Sequence, residues 1–173
     1  MSILKVNTIQ DKGGNTLLSS DGAGTLTLPS DLKMTPAFKV NHTSGDQQIT
    51  NAVMTKIDYD NIVFDTDSAF NLSTDRFTVP SGSAGKYYLN ASGSFNTESD
   101  FDRVVLQIWK NGSAVSEHRQ RNFYYEHIKT SIIMDLAVGD YIEVYALQSS
   151  GGTVAYRNST VDNYFEGFKL IGA

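Results

Sequence analysis

The chain has 173 residues, 40% of them hydrophobic, 19% charged and 14 of them glycine, which fits one well-buried domain plus an extension in a turn-rich β protein. A balance of 14 basic against 19 acidic residues gives a net charge of −5 and argues against nucleic acid or an anionic membrane as the main partner. With no cysteine, disulfides contribute nothing, so stability must come from the core or from oligomerisation.

Residues 1–33 differ in character from the rest of the chain. Residues 3–9 form a short apolar-rich strand, Gly13-Gly14 and Asp21-Gly22 mark turns, and Leu17-Leu18 and residues 26–28 read as further short strands before Pro29. Three short strands with almost no aromatic residues cannot build a core alone. The segment therefore reads as a docking arm or stalk ordered by neighbouring chains, with a floppy leader as the alternative. Its start has no long apolar core of a secretory signal, and no run in the chain has the length of a membrane-spanning helix. The expectation is a protein folded in a cytoplasm or released without a signal.

From Pro36 strand follows strand. Residues 37–40, 52–59 and 62–64 come first, with Asp65 to Asp67 as a turn. Residues 76–79 stop at Pro80, and 81–85 are a loop. Residues 86–95 alternate, with Tyr87, Leu89, Ala91 and Gly93 on one side and Tyr88, Asn90, Ser92 and Ser94 on the other. Residues 103–110 are stopped by Asn111-Gly112, the strongest short hairpin signal, and 114–119 return. Residues 124–136 form the next strand. The turn at Gly139-Asp140 enters an alternating strand from Tyr141, residues 148–163 read as a mobile apical loop, and 163–171 form the closing strand. No convincing amphipathic helix is present. Many short strands at near-regular spacing predict a sandwich or barrel.

Four motifs in order carry a resemblance. Ala69-Phe70 with residues 75–80 (DRFTVP) and Gly85-Lys86-Tyr87-Tyr88 is similar to a Phe, Arg-Phe-x-x-Pro and Gly-x-Tyr signature. Residues 106–112 (LQIWKNG), 136–140 (LAVGD) and 165–168 (FEGF) follow at suitable spacing. Together they resemble the globular head of complement component 1q and its tumour-necrosis-factor-like relatives over about residues 36–173. The resemblance implies an all-β, ten-stranded jelly-roll β-sandwich that assembles as a homotrimer. Collagen repeats and cysteines are missing from this chain, which separates it from complement, hormone or cytokine roles. The start of the chain, residues 2–10 (SILKVNTIQ) with a following Gly-Gly and Leu-rich segment, is similar to the starts of tailed-bacteriophage fibre and appendage proteins.

Candidate chemistry is sparse. His118 and His127 face each other across a hairpin in this reading, but zinc needs three or four ligands and no third is spaced to join them, so no metal and no cofactor is expected. The acidic pairs Asp58/Asp60 and Asp65/Asp67, and the run Glu98, Asp100 and Asp102, have oxygen ligands suited to calcium. They lack the EF-hand pattern and read as solvated turn carboxylates. No nucleophile, histidine and acid stand out as a set, so no enzyme is expected. Tyrosine rings suit subunit interfaces and sugar-binding surfaces. The resemblance places Tyr87, Tyr141, Tyr145 and Phe168 toward a trimer axis, with ordinary core as the alternative. Tyr156 and Arg157 are the expected receptor contacts.

The sequence therefore reads as a non-enzymatic structural protein of a tailed-phage virion, assembled in the host cytoplasm. Residues 1–33 form an extended β arm that attaches to other virion proteins. Residues 36–173 form a trimeric jelly-roll head that binds a host-surface glycan or protein. The alternative is a capsid decoration, neck or collar fibre that stabilises the particle. Neither nucleic acid binding nor membrane insertion is expected.

Overall fold

The structure is a computed structural model, and it describes residues 6–28, 34–96, 101–123 and 127–170. Among the described residues every element is a strand, and every strand pairing is antiparallel.

Near the start, β1 (Thr8–Gln10), β2 (Thr16–Ser20) and β3 (Leu26–Thr27) form a three-stranded sheet whose strands, among the described residues, pair only with one another. No described residue of this sheet is fully buried. Val6, Ile9, Leu17 and Leu26 are exposed. An apolar hollow lined by Val6, Ile9, Leu18 and Leu26 lies on it.

The rest is a two-layer sandwich. The first layer has the order β13 (His127–Leu136), β10 (Gly85–Ser94), β16 (Ser159–Lys169), β4 (Ala37–His42) and β7 (Asn61–Asp65). The second has the order β12 (Ser113–Phe123), β11 (Phe101–Lys110), β14 (Tyr141–Ser149), β9 (Arg76–Thr78) and β8 (Phe70–Asn71), with β6 (Thr55–Lys56) also on β14. A small ribbon joins β15 (Val154–Tyr156) to β5 (Gln47–Ile49).

The period-two alternation decides which side chains meet between the layers. Tyr87, Leu89 and Ala91 of β10, Phe38 and Val40 of β4, and Phe165 of β16 face inward from the first layer. Val104, Leu106 and Ile108 of β11 and Ile142, Val144 and Ala146 of β14 answer from the second. Phe38 is the hub: its ring lies 4.5 Å from Phe77, 4.9 Å from Phe165 and 5.7 Å from Phe70. Such offset and edge contacts contribute about 0.5–1.5 kcal/mol each beyond area burial.

Two turns lock together at one end. Asn111 and Gly112 both take positive φ, 50° and 80°, as an Asn-Gly hairpin requires. Asn111 Nδ2 donates to Asp140 Oδ1 at 2.7 Å, Asn111 Oδ1 accepts from the Tyr141 amide at 2.9 Å, and Lys110 Nζ sits 2.7 Å from Asp140 Oδ2. Bonds from Lys110 and Asn111 hold the Asp140 carboxyl down to about 2.

Two parts of the sequence reading change. Of the expected strand 52–59, only Thr55–Lys56 pairs as a strand. Ala52 takes a positive φ, and the segment docks by single bonds, Ala52 N to Gln148 O and Ile57 N to Val144 O. Residues 148–163 are not a free loop. The buried Gln148 amide bonds the Ile49 and Gly152 carbonyls at 2.9 and 2.7 Å, β15 pairs with β5, and β16 begins at Ser159. Gln47 and Gln48 offer no apolar alternation to betray β5, because that strand is held by backbone pairing to β15 and has one buried hydrophobic residue of its own, Ile49.

Candidate functional site

The outward faces of the two layers have different chemistry. On the first layer, register pairs Ile133 with Tyr88, Tyr88 with Phe168, and Phe168 with Ala37. The Tyr88 and Phe168 rings lie 5.5 Å apart. The next row pairs Asn90, Glu166 and Lys39: Lys39 Nζ lies 3.1 Å from Glu166, and Asn90 Nδ2 donates to Glu166 at 3.0 Å. Lys39 also stands 4.3 Å over the Tyr164 ring. Large apolar side chains are exposed on the two outermost strands of this sheet. Ile133 on β13 is 60% exposed and Phe64 on β7 is 46% exposed, beside exposed Ile62 and Val63.

On the second layer, Trp109, Gln107, Tyr141, Glu143 and Tyr145 face outward, since their alternate neighbours fill the core. The Trp109 and Tyr145 rings stack at 4.3 Å with 30° between their planes, and both are half-buried. Trp109 Nε1 donates to Gln107 Oε1 at 2.7 Å. Glu143 is only 2% exposed, yet it lies on this outward side, roofed by its neighbours. Its Oε1 takes Arg76 Nε at 2.7 Å and Lys56 Nζ at 3.3 Å, and its Oε2 accepts the Tyr145 hydroxyl at 3.4 Å. The Arg76 guanidinium also lies 4.1 Å over the Tyr141 ring. Two cations around one buried carboxylate satisfy the rule that buried charges are paired. The bonds also hold Arg76 and Lys56 in fixed positions beside the stacked rings.

The residues expected as sites separate. Tyr156, the expected receptor contact, is 0% exposed, so its side chain is unavailable to a receptor. Its hydroxyl donates to Ser92 O at 3.0 Å, its ring packs on Phe95, and burial pushes its pKa well above the ordinary tyrosine range. Arg157 is exposed. Tyr87 is 0% exposed, donates to Ser83 O at 2.6 Å and packs on Phe77, which makes it core of its own chain rather than an axis residue. Tyr141 and Tyr145 lie on the outward face of the second layer, while Phe168 lies on that of the first. The four expected axis residues therefore do not lie on one common surface. Alternation is legible for each strand, but which face is inside depends on which strands become neighbours.

The histidines and acidic residues weighed as metal ligands have structural roles. His118 Nδ1 is 2.7 Å from Lys129 O, and His127 Nε2 is 3.5 Å from Asp162. Asp60 accepts from the Thr43 amide and hydroxyl at 2.8 and 2.7 Å, and Asp65 caps the Ala69 and Phe70 amides at 3.0 and 2.8 Å. Glu98 and Asp100 lie outside the described residues. Among the described residues no three His, Asp or Glu side chains converge on a metal position. The cluster around Glu143 carries no signal in the sequence. Lys56, Arg76, Trp109 and Glu143 are scattered along the chain, and only the strand order gathers them.

No protein-family model matches the chain, and no curated protein matches its sequence. Solved structures do match. The globular domain of zebrafish complement 1qA protein superposes with a TM-score of 0.54 at 18% identity, covering 79% of this chain and 98% of that one. Eiger TNF from S. frugiperda gives 0.59 at 12% identity, covering 79% and 93%. Murine APRIL gives 0.60 at 13% identity, covering 78% and 98%. At these identities the likeness is one of fold, and the fold of this chain is the complement-1q and tumour-necrosis-factor-like jelly roll.

Proposed function

We propose that this chain is a non-enzymatic structural protein of a tailed-phage virion: a homotrimeric fibre with a jelly-roll head for host-surface binding and an N-terminal arm for attachment. The observation that carries the assembly is the outward face of the first layer. Ile133, Tyr88, Phe168 and Phe64 lie across it, and the edge strand β7 also exposes Ile62 and Val63. Large apolar side chains at a sheet edge are an aggregation hazard unless something covers them. Closed symmetric assembly of identical chains covers them and ends the growth. The jelly-roll likeness supports the same reading, since the trimer is what the resemblance implies. Three heads in one particle would also triple each weak surface contact through multivalency.

The arm supports attachment. Its described strands pair only with one another, and Val6, Ile9, Leu17 and Leu26 stay exposed, as suits a segment completed by other proteins.

Sedimentation of the full chain at micromolar concentration tests the assembly. A species of three times the 19.0 kDa chain mass is expected. Charge at the centre and at the edge of the face, as in Phe168→Asp with Ile133→Asp, is expected to yield folded monomers. A monomeric parent protein overturns the trimer. Immunogold labelling of phage particles with antibody to the chain tests the location: label at the tail supports the adsorption fibre, and label on the capsid or neck points to a decoration role.

A further inference from the structure

We propose that the outward face of the second layer is a saccharide-binding platform, centred on Trp109 and Tyr145, that takes an uncharged pyranose unit. The source of such a ligand, a host-surface polysaccharide, rests on the reading of the head as a host-surface binder. The site itself is argued from geometry.

A pyranose ring presents C–H groups on its face and hydroxyls around its rim. Its complement is an aromatic surface bordered by fixed donors and acceptors, because the ring face is apolar and polarisable while the rim needs hydrogen bonds. Trp109 and Tyr145 are stacked on the outward face of a rigid sheet, and each ring remains half-buried rather than buried. Tyr141 lies on the same strand and the same face, with the Arg76 guanidinium over its ring.

The rim is already positioned. Gln107 is fixed by Trp109 Nε1 and by its own bond to Glu117. Arg76 and Lys56 are fixed by Glu143, and Lys56 Nζ also bonds Thr74 O at 2.9 Å. The Tyr145 hydroxyl is held toward Glu143 by a long bond of 3.4 Å, well beyond the usual O–H···O distance, so a ligand hydroxyl can compete for it. Groups held in place before a ligand arrives lose little entropy when it binds, which is how a small polar ligand gains useful affinity.

Charge selects the ligand class. Glu143 takes Arg76 and Lys56, and Glu117 takes Arg119 at 3.0 Å, so the acidic and basic groups at the platform largely answer one another. Such a surface favours neither a polyanion nor a polycation. It also differs from a protein-docking face: among the described residues none of the exposed large hydrophobic side chains lies on β9, β11 or β14, whereas β7 and β13 of the opposite layer hold several. The head thus has one apolar face and one aromatic-polar face.

Trp109 is the only tryptophan in the chain, so tryptophan emission reads this site alone. The full chain is titrated with linear oligosaccharides of glucose, galactose, mannose and N-acetylglucosamine, with sedimentation of the same sample. A saturable emission change with at least one of them is expected, in about the millimolar range for a single site. Tyr145→Ala is expected to weaken it about tenfold or more. Because that variant can disturb folding, the second measurement uses the parent protein: the bound oligosaccharide must slow oxidation of Trp109 by N-bromosuccinimide. No saturable response to any neutral oligosaccharide overturns the site. So does Tyr145→Ala binding as well as the parent, an absence of protection, or a response confined to acidic saccharides and abolished by salt. Trimers that ignore saccharide refute this site and leave the assembly standing. Monomers that bind it do the reverse.

Discussion

Adding one carbon at Gly167 tests the packing of the sandwich most directly. Gly167 sits in β16 at the centre of the first layer, paired with Leu89 on one side and Phe38 on the other. A Cβ built there would meet Leu89 Cδ2 at 2.7 Å, Phe38 Cε1 at 3.0 Å and the Tyr88 carbonyl oxygen at 2.9 Å. The two side chains are fully buried, and Phe38 is the aromatic hub, so neither has room to retreat. The carbonyl belongs to the neighbouring hydrogen-bonded strand and can move only with it. Overpacking of a tight core costs about 1–3 kcal/mol, and contact with backbone puts this site near the upper end. Replacing glycine by alanine also stiffens the unfolded chain, which offsets about 0.4–1 kcal/mol. The net expectation for Gly167→Ala is a loss of about 2 kcal/mol. With a urea m-value of about 2 kcal/mol/M, that moves the midpoint down by about 1 M at unchanged slope. Parent and variant must be compared at one protein concentration, since assembly raises apparent stability by mass action. A variant as stable as the parent would refute the argument that close strand packing, rather than chain flexibility, demands glycine at this position.

Further expectations concern other sites. At Gly93 a Cβ would meet the Tyr156 ring at 2.5 Å, so Gly93→Ala is expected to lower the urea midpoint, and adding Tyr156→Leu is expected to recover part of the loss; a strictly additive pair would show that the clash is not the cause. Glu143→Gln leaves Arg76 and Lys56 facing a neutral amide, and since both cations are partly exposed the expected loss is about 1–2 kcal/mol by denaturation. Asp140 has its pKa lowered from 3.8 to about 2, so its ionised form stabilises the fold fully above about pH 4 and that contribution is lost as pH falls toward 2. Asp140→Asn is expected to flatten this part of the acid profile of the urea midpoint; an unchanged profile would place the acid sensitivity elsewhere.

Several features are legible in the order of residues alone. Alternation in residues 86–95 assigns Tyr87, Leu89 and Ala91 to one face, and they are core. The Asn111-Gly112 turn is explicit because two consecutive positive φ angles admit few other pairs. The ordered motifs point to the jelly roll, and the glycine of the closing 165–168 motif has a physical reason in the contacts of Gly167. Short polar strands such as β5 escape a reading of the sequence because backbone pairing, not side-chain pattern, holds them.

By itself the sequence determined the all-β architecture, the sharpest turns, such as Asn111-Gly112 and Gly139-Asp140, and the period-two division of the long strands, because these depend on neighbours along the chain. Only the tertiary structure decided which half of each division faced inward and which strands became neighbours. That choice buried Tyr156, placed Tyr145 against Trp109, set Phe168 on the opposite layer and gathered Lys56 and Arg76 around Glu143. The physical reason is that a side chain's surroundings are set by strands distant in sequence, and the strand order that brings them together is a property of the whole sandwich.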